Sequence, residues 1–194
     1  MTDTAHKAVL SKQTPDRPLP GDRTAEEDFR RMMRVDHAGE FGAVRIYEGQ
    51  LAVLGDNHPK SAMIRHMQDQ EQVHLAKFNE MMAEEGVRPT ALAPFWHVAG
   101  FALGAGTALL GEKAAMACTA AVEEVIDEHY EEQLQKLNGS KPEFEKTIRK
   151  FQAEEVEHRD IALEHGAEET PGYSLLSGAI KAGCKLAIWT AKRL

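Results

Sequence analysis

Cysteine is scarce in this sequence, with only Cys118 and Cys184 among its 194 residues. Their spacing fits neither a zinc site nor a redox pair, so we expect two free thiols in a reducing compartment. Basic residues are also few: the sequence has 23 of them and 31 acidic residues, which gives a formal net charge of -8. A general nucleic-acid-binding protein needs a basic surface, and that class is therefore excluded.

The N-terminal stretch lacks both the apolar core of a secretory signal and the arginine density of a mitochondrial transit peptide. Instead, Pro15, Pro18 and Pro20 interrupt a polar run. We predict a mobile tail over residues 1–23, followed by one ordered domain over residues 24–194. The missing transit-peptide pattern favours a bacterial source over a mitochondrial one.

Alternating strand-type patterns are lacking throughout, while breakers at wide intervals separate four long helical stretches. The first begins with a capping box at Thr24 and Glu27, where each residue can satisfy a backbone N–H of the other. It runs to Leu54, where the segment GDNHPK at 55–60 ends it. The other three helices are expected at about 61–85, 112–137 and 142–166. The sequence therefore predicts an all-α fold.

Two further segments are apolar. Residues 90–111 contain no Asp, Glu, Lys or Arg over 22 positions, which is formally long enough to span a bilayer. Pro94, several glycines and the need to return to the bundle favour a crossover that packs on protein or dips into one leaflet. Residues 173–194 form a basic amphipathic helix with Lys181, Lys185 and Trp189, which suits a membrane surface. A fifth helix packed on the bundle is the alternative interpretation.

Two Glu-x-x-His pairs are the strongest chemical signal in the chain. Among nine histidines, only His74 and His158 follow a glutamate by three residues, namely Glu71 and Glu155. Both pairs interrupt apolar stripes of helical spacing, so they are expected to be buried. Burying an isolated carboxylate is strongly unfavourable unless something pairs with it. The two pairs therefore predict partners elsewhere in the fold.

A glutamate on the helix before each pair supplies that partner. Glu40 and Glu123 also lie on apolar stripes, 31 residues before Glu71 and 32 residues before Glu155. Two antiparallel helices joined by a short loop bring such residues level with each other. One Glu from each of two helices, with a Glu-x-x-His from each of the other two, is the ligand set of ferritin-like di-iron or di-manganese bundles. Oxygen-rich ligation without thiolate favours iron or manganese over copper(I) or structural zinc.

Five other polar residues are weaker candidates around this site. We expect Asp36, His37, Asp127 and Asp160 either to orient a ligating imidazole or to be solvated. Tyr130 lies two turns beyond the third glutamate of the set. It is expected either to approach the metals or to serve as a hydrogen-bonded core residue.

Several segments resemble the 5-demethoxyubiquinone hydroxylases of ubiquinone biosynthesis. The resemblance runs from about residue 27 to 194 and is carried by VDHAGEFGAVRIYEGQLAVLG (35–55), EQVHL (71–75), ACTAAVEEVIDEHY (117–130), EEVEHRDIALEHGAEE (154–169) and AGCKLAIW (182–189). It implies the same six ligands that the spacing predicts, which are Glu40, Glu71, His74, Glu123, Glu155 and His158. It also implies a role in electron delivery for the pair His129 and Tyr130.

Members of that family are di-iron monooxygenases bound peripherally to the inner membrane, so the resemblance implies two iron ions as cofactors and O₂ as co-substrate. The implied reaction hydroxylates the ring of a polyprenylated methoxy-methyl-benzoquinol in the penultimate step of the pathway, with NADH as one reductant. The implied partners are the quinol, a membrane surface, a lipid-binding protein and other enzymes of ubiquinone biosynthesis, and a homo-oligomer is left open. The implied location is the cytoplasmic face of the bacterial inner membrane, or the matrix side of the mitochondrial one.

Two other functions are compatible with the same ligand set. A soluble ferritin-like ferroxidase or peroxidase would have no use for an uncharged crossover or a basic apolar C-terminus. A non-enzymatic, membrane-associated helical protein would use the carboxylates only to hold a structural metal. Oxygen consumption on reduction separates that last function from an enzyme.

Overall fold

The computed structural model describes residues 23–193, and all regular structure in that range is helical. A short 3-10 turn at Ala167–Glu169 accompanies six α-helices there, which are α1 (Ala25–Leu54), α2 (Ser61–Glu84), α3 (Ala93–Leu109), α4 (Glu112–Leu137), α5 (Pro142–Glu164) and α6 (Tyr173–Ala191). The prediction of an all-α fold is confirmed. The tail predicted over residues 1–23 lies, apart from Arg23, outside the described residues.

The helix ends follow the local sequence signals. The capping box at the start of α1 is formed, because the Glu27 backbone N–H donates to Thr24 Oγ1 at 3.1 Å and the Thr24 N–H donates to Glu27 Oε2 at 2.8 Å. Helix α5 ends at Glu164, two residues earlier than predicted. The cause is Gly166, whose left-handed φ of 88° turns the chain toward the next segment.

The four long helices form two hairpins, α1 with α2 and α4 with α5. Apolar clusters fill both ends of the bundle that the hairpins build. On α2, for example, Phe78 belongs to one cluster and Met67 to the other, while Glu71 and His74 lie between them. A buried polar layer therefore crosses the middle of an otherwise apolar core.

Helix α3 is the connection between the hairpins, and it packs very closely along α1. A Cβ atom at Gly104 would lie 1.9 Å from the backbone oxygen of Ile46, and one at Gly49 would lie 2.2 Å from that of Phe101. The two backbones can approach this far only because both positions are glycine. The predicted crossover thus packs on protein along one side. On its outer side it leaves large apolar side chains exposed, among them Phe95, Val98, Leu109 and Leu110.

Helix α6 packs on α4 and α1, as in the packed-helix interpretation. Two lysines of its basic face point at α4, where Lys181 Nζ lies 2.6 Å from Glu124 and Lys185 Nζ lies 2.8 Å from Glu128. Its exposed residues include Leu175, Leu186 and Trp189. Among residues 23–193, no helix combines the length and the apolar character needed to cross a bilayer.

Candidate metal centre

The buried layer contains all six side chains that the sequence predicts as metal ligands. They form two groups that share Glu71 and Glu155, and within each group one ligand atom of every member lies within 4.8 Å of the others. One group adds Glu40 and His74, and the other adds Glu123 and His158. Each of the six residues is at most 3% exposed. Two ligand groups with two shared carboxylates are the arrangement expected for a pair of bridged cations.

Each imidazole turns its Nδ1 atom toward the cluster. His74 Nδ1 lies 3.1 Å from Glu155 Oε1 and 3.4 Å from Glu40 Oε2. His158 Nδ1 lies 3.0 Å from Glu71 Oε1 and 3.4 Å from Glu155 Oε2. Both nitrogen atoms are thus placed to ligate from opposite ends of the shared carboxylates.

The Nε2 atoms on the far sides of these rings are held by two residues that the sequence analysis missed. His74 Nε2 lies 2.8 Å from Glu154 Oε2, and His158 Nε2 lies 3.0 Å from Gln70 Oε1. The sequence carries one signal for them, because Gln70 and Glu154 occupy the same place in the two halves, directly before a shared glutamate. Such outer partners fix the tautomer and the orientation of a ligating imidazole.

Two tyrosines hold the outer carboxylates in a reciprocal pattern. The Tyr130 hydroxyl on α4 donates to Glu40 on α1, and the Tyr47 hydroxyl on α1 donates to Glu123 on α4 at 2.8 Å. Each tyrosine lies seven residues after the glutamate of its own helix. Tyr130 is a buried tyrosine whose hydroxyl is hydrogen-bonded to a candidate ligand, so both interpretations of it stay open, whereas the contact of Tyr47 was missed.

Burial and mutual repulsion govern the charges of the cluster. Burial, reinforced by the charge of Glu155, raises the pKa of Glu71 and Glu123 well above the usual value of a glutamate. Burial opposes ionisation of Glu155 as well, yet the close imidazoles of His158 and His74 lower the pKa of that carboxyl to about 2. For His74, the surrounding carboxylates outweigh burial and raise the pKa of the imidazole.

Several cluster atoms make no hydrogen bond of normal geometry among the described residues, although the two Nδ1 atoms lie only 3.0–3.4 Å from carboxylate oxygens. They are both carboxylate oxygens of Glu71 and of Glu155, Oε2 of Glu123, and Nδ1 of His74 and of His158. Buried polar atoms are normally satisfied, so unpaired atoms that converge on one region require an explanation. Four carboxylates and two imidazole nitrogens fit two divalent cations, which would neutralise the charge and occupy those lone pairs.

A cavity reaches this cluster from one side of the bundle. It is lined by Glu40, Glu71, Glu123, Glu155 and Tyr130 at its inner end, and by Gly39, Ala43, Ile126 and Ile188 among its apolar walls. These walls belong to α1, α4 and α6. The centre is therefore reached between the helix that carries Glu40, the helix that carries Glu123, and the C-terminal helix.

Comparison with known proteins identifies the family. A family model described as "Ubiquinone biosynthesis protein COQ7" matches residues 27–191. The chain belongs to the COQ7 family. It is 55% identical over 183 residues to the 3-demethoxyubiquinol 3-hydroxylase of Rhodospirillum rubrum, which covers 94% of this chain and 86% of that protein.

Mitochondrial relatives of this COQ7-family chain are similar over most of their length. The human NADPH-dependent 3-demethoxyubiquinone 3-hydroxylase is 55% identical over 168 residues, covering 84% of this chain and 77% of that protein. The 5-demethoxyubiquinone hydroxylase of Saccharomyces cerevisiae is 41% identical over 180 residues, again covering 84% and 77%. The resemblance to this family predicted from the motifs is confirmed.

The weaker candidates have other partners in this COQ7-family structure. His37 Nε2 lies 3.1 Å from Asn79 Oδ1. Arg159 makes ion pairs with Asp127 at 3.2 Å and with Asp160 at 3.0 Å. None of these three residues contacts a ligating imidazole. Asp127 and Asp160 are partly solvated and paired with Arg159, as the alternative expectation allowed, whereas His37 is buried against Asn79. Packing between helices decides such contacts, and nearness in sequence to a ligand does not.

Asp36, unlike the other three candidates, does contact an imidazole, but it is that of His129, which is outside the ligand set. His129 Nε2 lies 3.2 Å from Asp36 Oδ1, and the Gln133 amide donates to the same oxygen at 2.6 Å. His129 and Asp36 are buried, and both line the cavity that reaches the cluster. The polar network of Asp36, His129 and Gln133 thus lies beside Tyr130 and one helical turn from Glu40, and the imidazole it holds is not a candidate ligand.

Proposed function

We propose that this chain is a di-iron monooxygenase that uses O₂ to hydroxylate the ring of a polyprenylated methoxy-methyl-benzoquinol, demethoxyubiquinol, in the penultimate step of ubiquinone biosynthesis. The observation that carries the proposal is the buried six-ligand cluster at the inner end of an apolar-walled cavity. The similar proteins named as demethoxyubiquinone hydroxylases support the choice of substrate.

The metal ions would be held by the six predicted ligands. Glu71 and Glu155 would bridge them, since each belongs to both ligand groups. When bound, a pair of iron ions supplies the activation of O₂ that hydroxylation of an aromatic ring requires. The protein's part is to fix the ligand geometry from four different helices and to keep water away from the centre.

The apolar walls of the cavity suit a flat ring, but the cavity itself is only about 20 Å³, so these walls would have to move apart to admit one. Gly39 and Ala43 leave space along α1, and Ile126 and Ile188 supply apolar walls. Helices α3 and α6 both cover the face built by α1 and α4, since Leu103, Ile46, Val122 and Ile180 share one cluster. The exposed apolar residues of α3 and α6 therefore lie over this face, where α6 also lines the cavity through Ile188, and a polyprenyl tail would remain in lipid there.

This placement supports a peripheral protein at a membrane surface. The location that follows is the cytoplasmic face of a bacterial inner membrane, or the matrix face of the mitochondrial one. Protein partners would contact the same apolar surface. The candidates are a lipid-binding protein, other enzymes of the pathway and a second copy of the chain.

Electrons would enter on the side of His129 and Tyr130. Tyr130 touches the carboxylate of Glu40, and His129 is held by Asp36 beside the same cavity. The reductant would be a nicotinamide nucleotide, and NADH and NADPH are the two to compare. Replacing His129 with Asn should slow reduction of the loaded centre by that nucleotide while leaving the iron content unchanged.

The decisive experiment measures quinones in cells that carry this protein as the only copy. Mass spectrometry should find ubiquinone with the parent protein and accumulated demethoxy-quinone with Glu155→Ala, whereas Glu157→Ala, at an exposed site on the same helix, should behave as the parent. A normal amount of ubiquinone in cells with Glu155→Ala would contradict the proposal and favour the alternative function of a ferritin-like ferroxidase.

Iron content tests the ligand assignment separately. The purified parent protein should contain two iron ions per chain, and Glu71→Ala should lose both because Glu71 belongs to both ligand groups. Iron content equal to that of the parent in Glu71→Ala would overturn the assignment of the bridging residues.

A further inference from the structure

The two ligating imidazoles are held by chemically different partners. His74 Nε2 faces the carboxylate of Glu154 at 2.8 Å, and His158 Nε2 faces the amide oxygen of Gln70 at 3.0 Å. A carboxylate and an amide oxygen both accept hydrogen bonds, so Nε2 of each ring carries the proton and donates. Since Nε2 keeps its proton, Nδ1 is the atom of each ring that a metal would deprotonate and bind.

These partners occupy equivalent places in the two halves of the bundle. Gln70 directly precedes Glu71 on α2, and Glu154 directly precedes Glu155 on α5. Each reaches across to the histidine of the other hairpin. The centre is thus nearly two-fold in geometry but carries a formal charge at only one of the two outer positions.

The charge of Glu154 is only partly compensated by its surroundings. Lys150 Nζ lies 3.4 Å from the other carboxylate oxygen of Glu154, but the Lys150 side chain is 62% exposed and its charge is screened by solvent. Gln70 carries no formal charge. A carboxylate that accepts from an imidazole N–H increases the electron donation of that ring to a metal more than a neutral amide does.

We propose that the two metal positions have unequal affinities, a proposal that rests on the proposed di-iron function. The position formed by Glu40, His74 and the shared glutamates binds a divalent cation more tightly than the position formed by Glu123 and His158. Glu154 and Gln70 are the positioning residues that set this difference, because they act on the metals through the imidazoles. A half-loaded protein therefore holds its single cation on the His74 side.

The test is a calorimetric titration of the metal-free full-length protein with Co²⁺. Glu154→Gln should weaken the tighter step by about tenfold or more, since changes to such outer partners typically cost 10–100-fold in metal affinity. Gln70→Glu should strengthen the weaker step by a similar factor. General loss of folding cannot produce these opposite shifts.

Two exposed sites on the same helices supply matched controls. Glu157→Gln and Gln72→Glu make the same changes in charge and shape at exposed positions of α5 and α2, and both should change the affinities by less than about twofold. The double exchange Gln70→Glu with Glu154→Gln keeps the net charge and the composition of the chain. It should again give two binding steps of unequal affinity, but with the tighter step at the position of Glu123 and His158.

Nuclear magnetic resonance assigns each step to one side of the centre. With one equivalent of Co²⁺, the paramagnetically shifted imidazole N–H signal should come from His74 in the parent and from His158 in the double variant. Equal effects of the variants and their exposed controls would overturn the inequality and leave the proposed function intact. A parent protein that does not bind two equivalents would overturn both.

Discussion

The hydroxyl groups of Tyr47 and Tyr130 act at the scale of single residues. Each donates to a carboxylate on the helix of the other hairpin, Tyr47 to Glu123 and Tyr130 to Glu40. Both tyrosines are almost completely buried, so no water replaces the hydroxyl when it is removed. These two hydrogen bonds stabilise the fold and also fix the direction of the carboxylates of Glu40 and Glu123.

Replacing Tyr47 with Phe should lower the free energy of unfolding of the metal-free protein by about 1–2 kcal/mol, because Glu123 loses its buried donor. Urea unfolding followed by circular dichroism measures the change. Tyr173→Phe, at a partly exposed tyrosine, is the control and should remain within about 0.5 kcal/mol of the parent. Equal stability of Tyr47→Phe and Tyr173→Phe would show that the Tyr47 hydrogen bond contributes nothing.

The two cysteines should be inert in the folded protein. Both are free thiols, and burial raises the pKa of Cys118 to about 12 and that of Cys184 to about 11. Because a raised pKa keeps the thiol protonated, roughly one Cys184 in a thousand is the reactive thiolate at pH 8. Ellman's reagent should therefore label neither cysteine at pH 8 in buffer, and both in denaturant. Rapid labelling of Cys118 in the folded protein would contradict its burial, and rapid labelling of the partly exposed Cys184 would contradict its raised pKa.

The convergence of the six candidate ligands could be predicted because a helix places residues three and four apart on one face, so that spacing in the sequence becomes geometry. Gln70 and Glu154 could not be identified in the same way. Adjacent residues on a helix point about 100° apart, and which of them reaches the opposite hairpin depends on how α2 and α5 pack. Tyr47 was missed for a related reason, because its partner Glu123 is 76 residues away in the sequence.

At the scale of elements, the contact between α1 and α3 depends on glycine. Gly104 and Gly49 meet the backbone of the opposite helix, and Gly100 comes near the Gly42 carbonyl in the same stripe. Gly106 lies on the same helix with open space around it. The pair Gly104 and Gly106 therefore separates the effect of close packing from the general effect of glycine in a helix.

Gly104→Ala should destabilise the fold by at least about 2 kcal/mol, because the added methyl group collides with the Ile46 carbonyl and forces α3 away from α1. Gly106→Ala should have no such cost and should gain up to about 1 kcal/mol from helix propensity. Urea unfolding of both variants provides the measurement. Equal stability of the two variants would show that α3 can move away from α1 without loss.

The sequence predicted that residues 90–111 and 173–194 form apolar elements, but it could not give their surroundings. A small-residue stripe such as Gly100 to Gly104 serves equally for packing between helices in lipid and for packing on a soluble bundle. The lysines of α6 were interpreted as contacts for a membrane surface, yet Lys181 and Lys185 pair with carboxylates of α4. The outward-facing apolar residues of α6 therefore remain the candidates for contact with a membrane surface.

For the whole molecule, we expect binding to lipid vesicles to depend on these apolar residues rather than on the lysines. Leu186 and Trp189 are 62% and 54% exposed on α6. Replacing both with Ser should weaken co-sedimentation with vesicles at least tenfold, since burial of each such side chain contributes about 1.5–3 kcal/mol.

Two controls accompany the vesicle measurement. Val73→Ser removes an apolar side chain that is 58% exposed on α2, away from the covering helices, and should leave binding unchanged. Replacing Lys181 and Lys185 with Gln should weaken vesicle binding less than replacing Leu186 and Trp189 with Ser. Binding that is lost with the lysines and retained without the apolar pair would reverse this assignment of the surface.

The exchange of contacts between the two hairpins has a consequence for how the protein matures. Each ligand group takes side chains from both hairpins, and each histidine and each outer glutamate is held by a residue of the opposite one. A nascent chain that has folded only its first hairpin therefore offers no complete binding position. A metal ion would find all four candidate ligands of either group only after both hairpins have docked, so a partly folded chain would hold it less tightly.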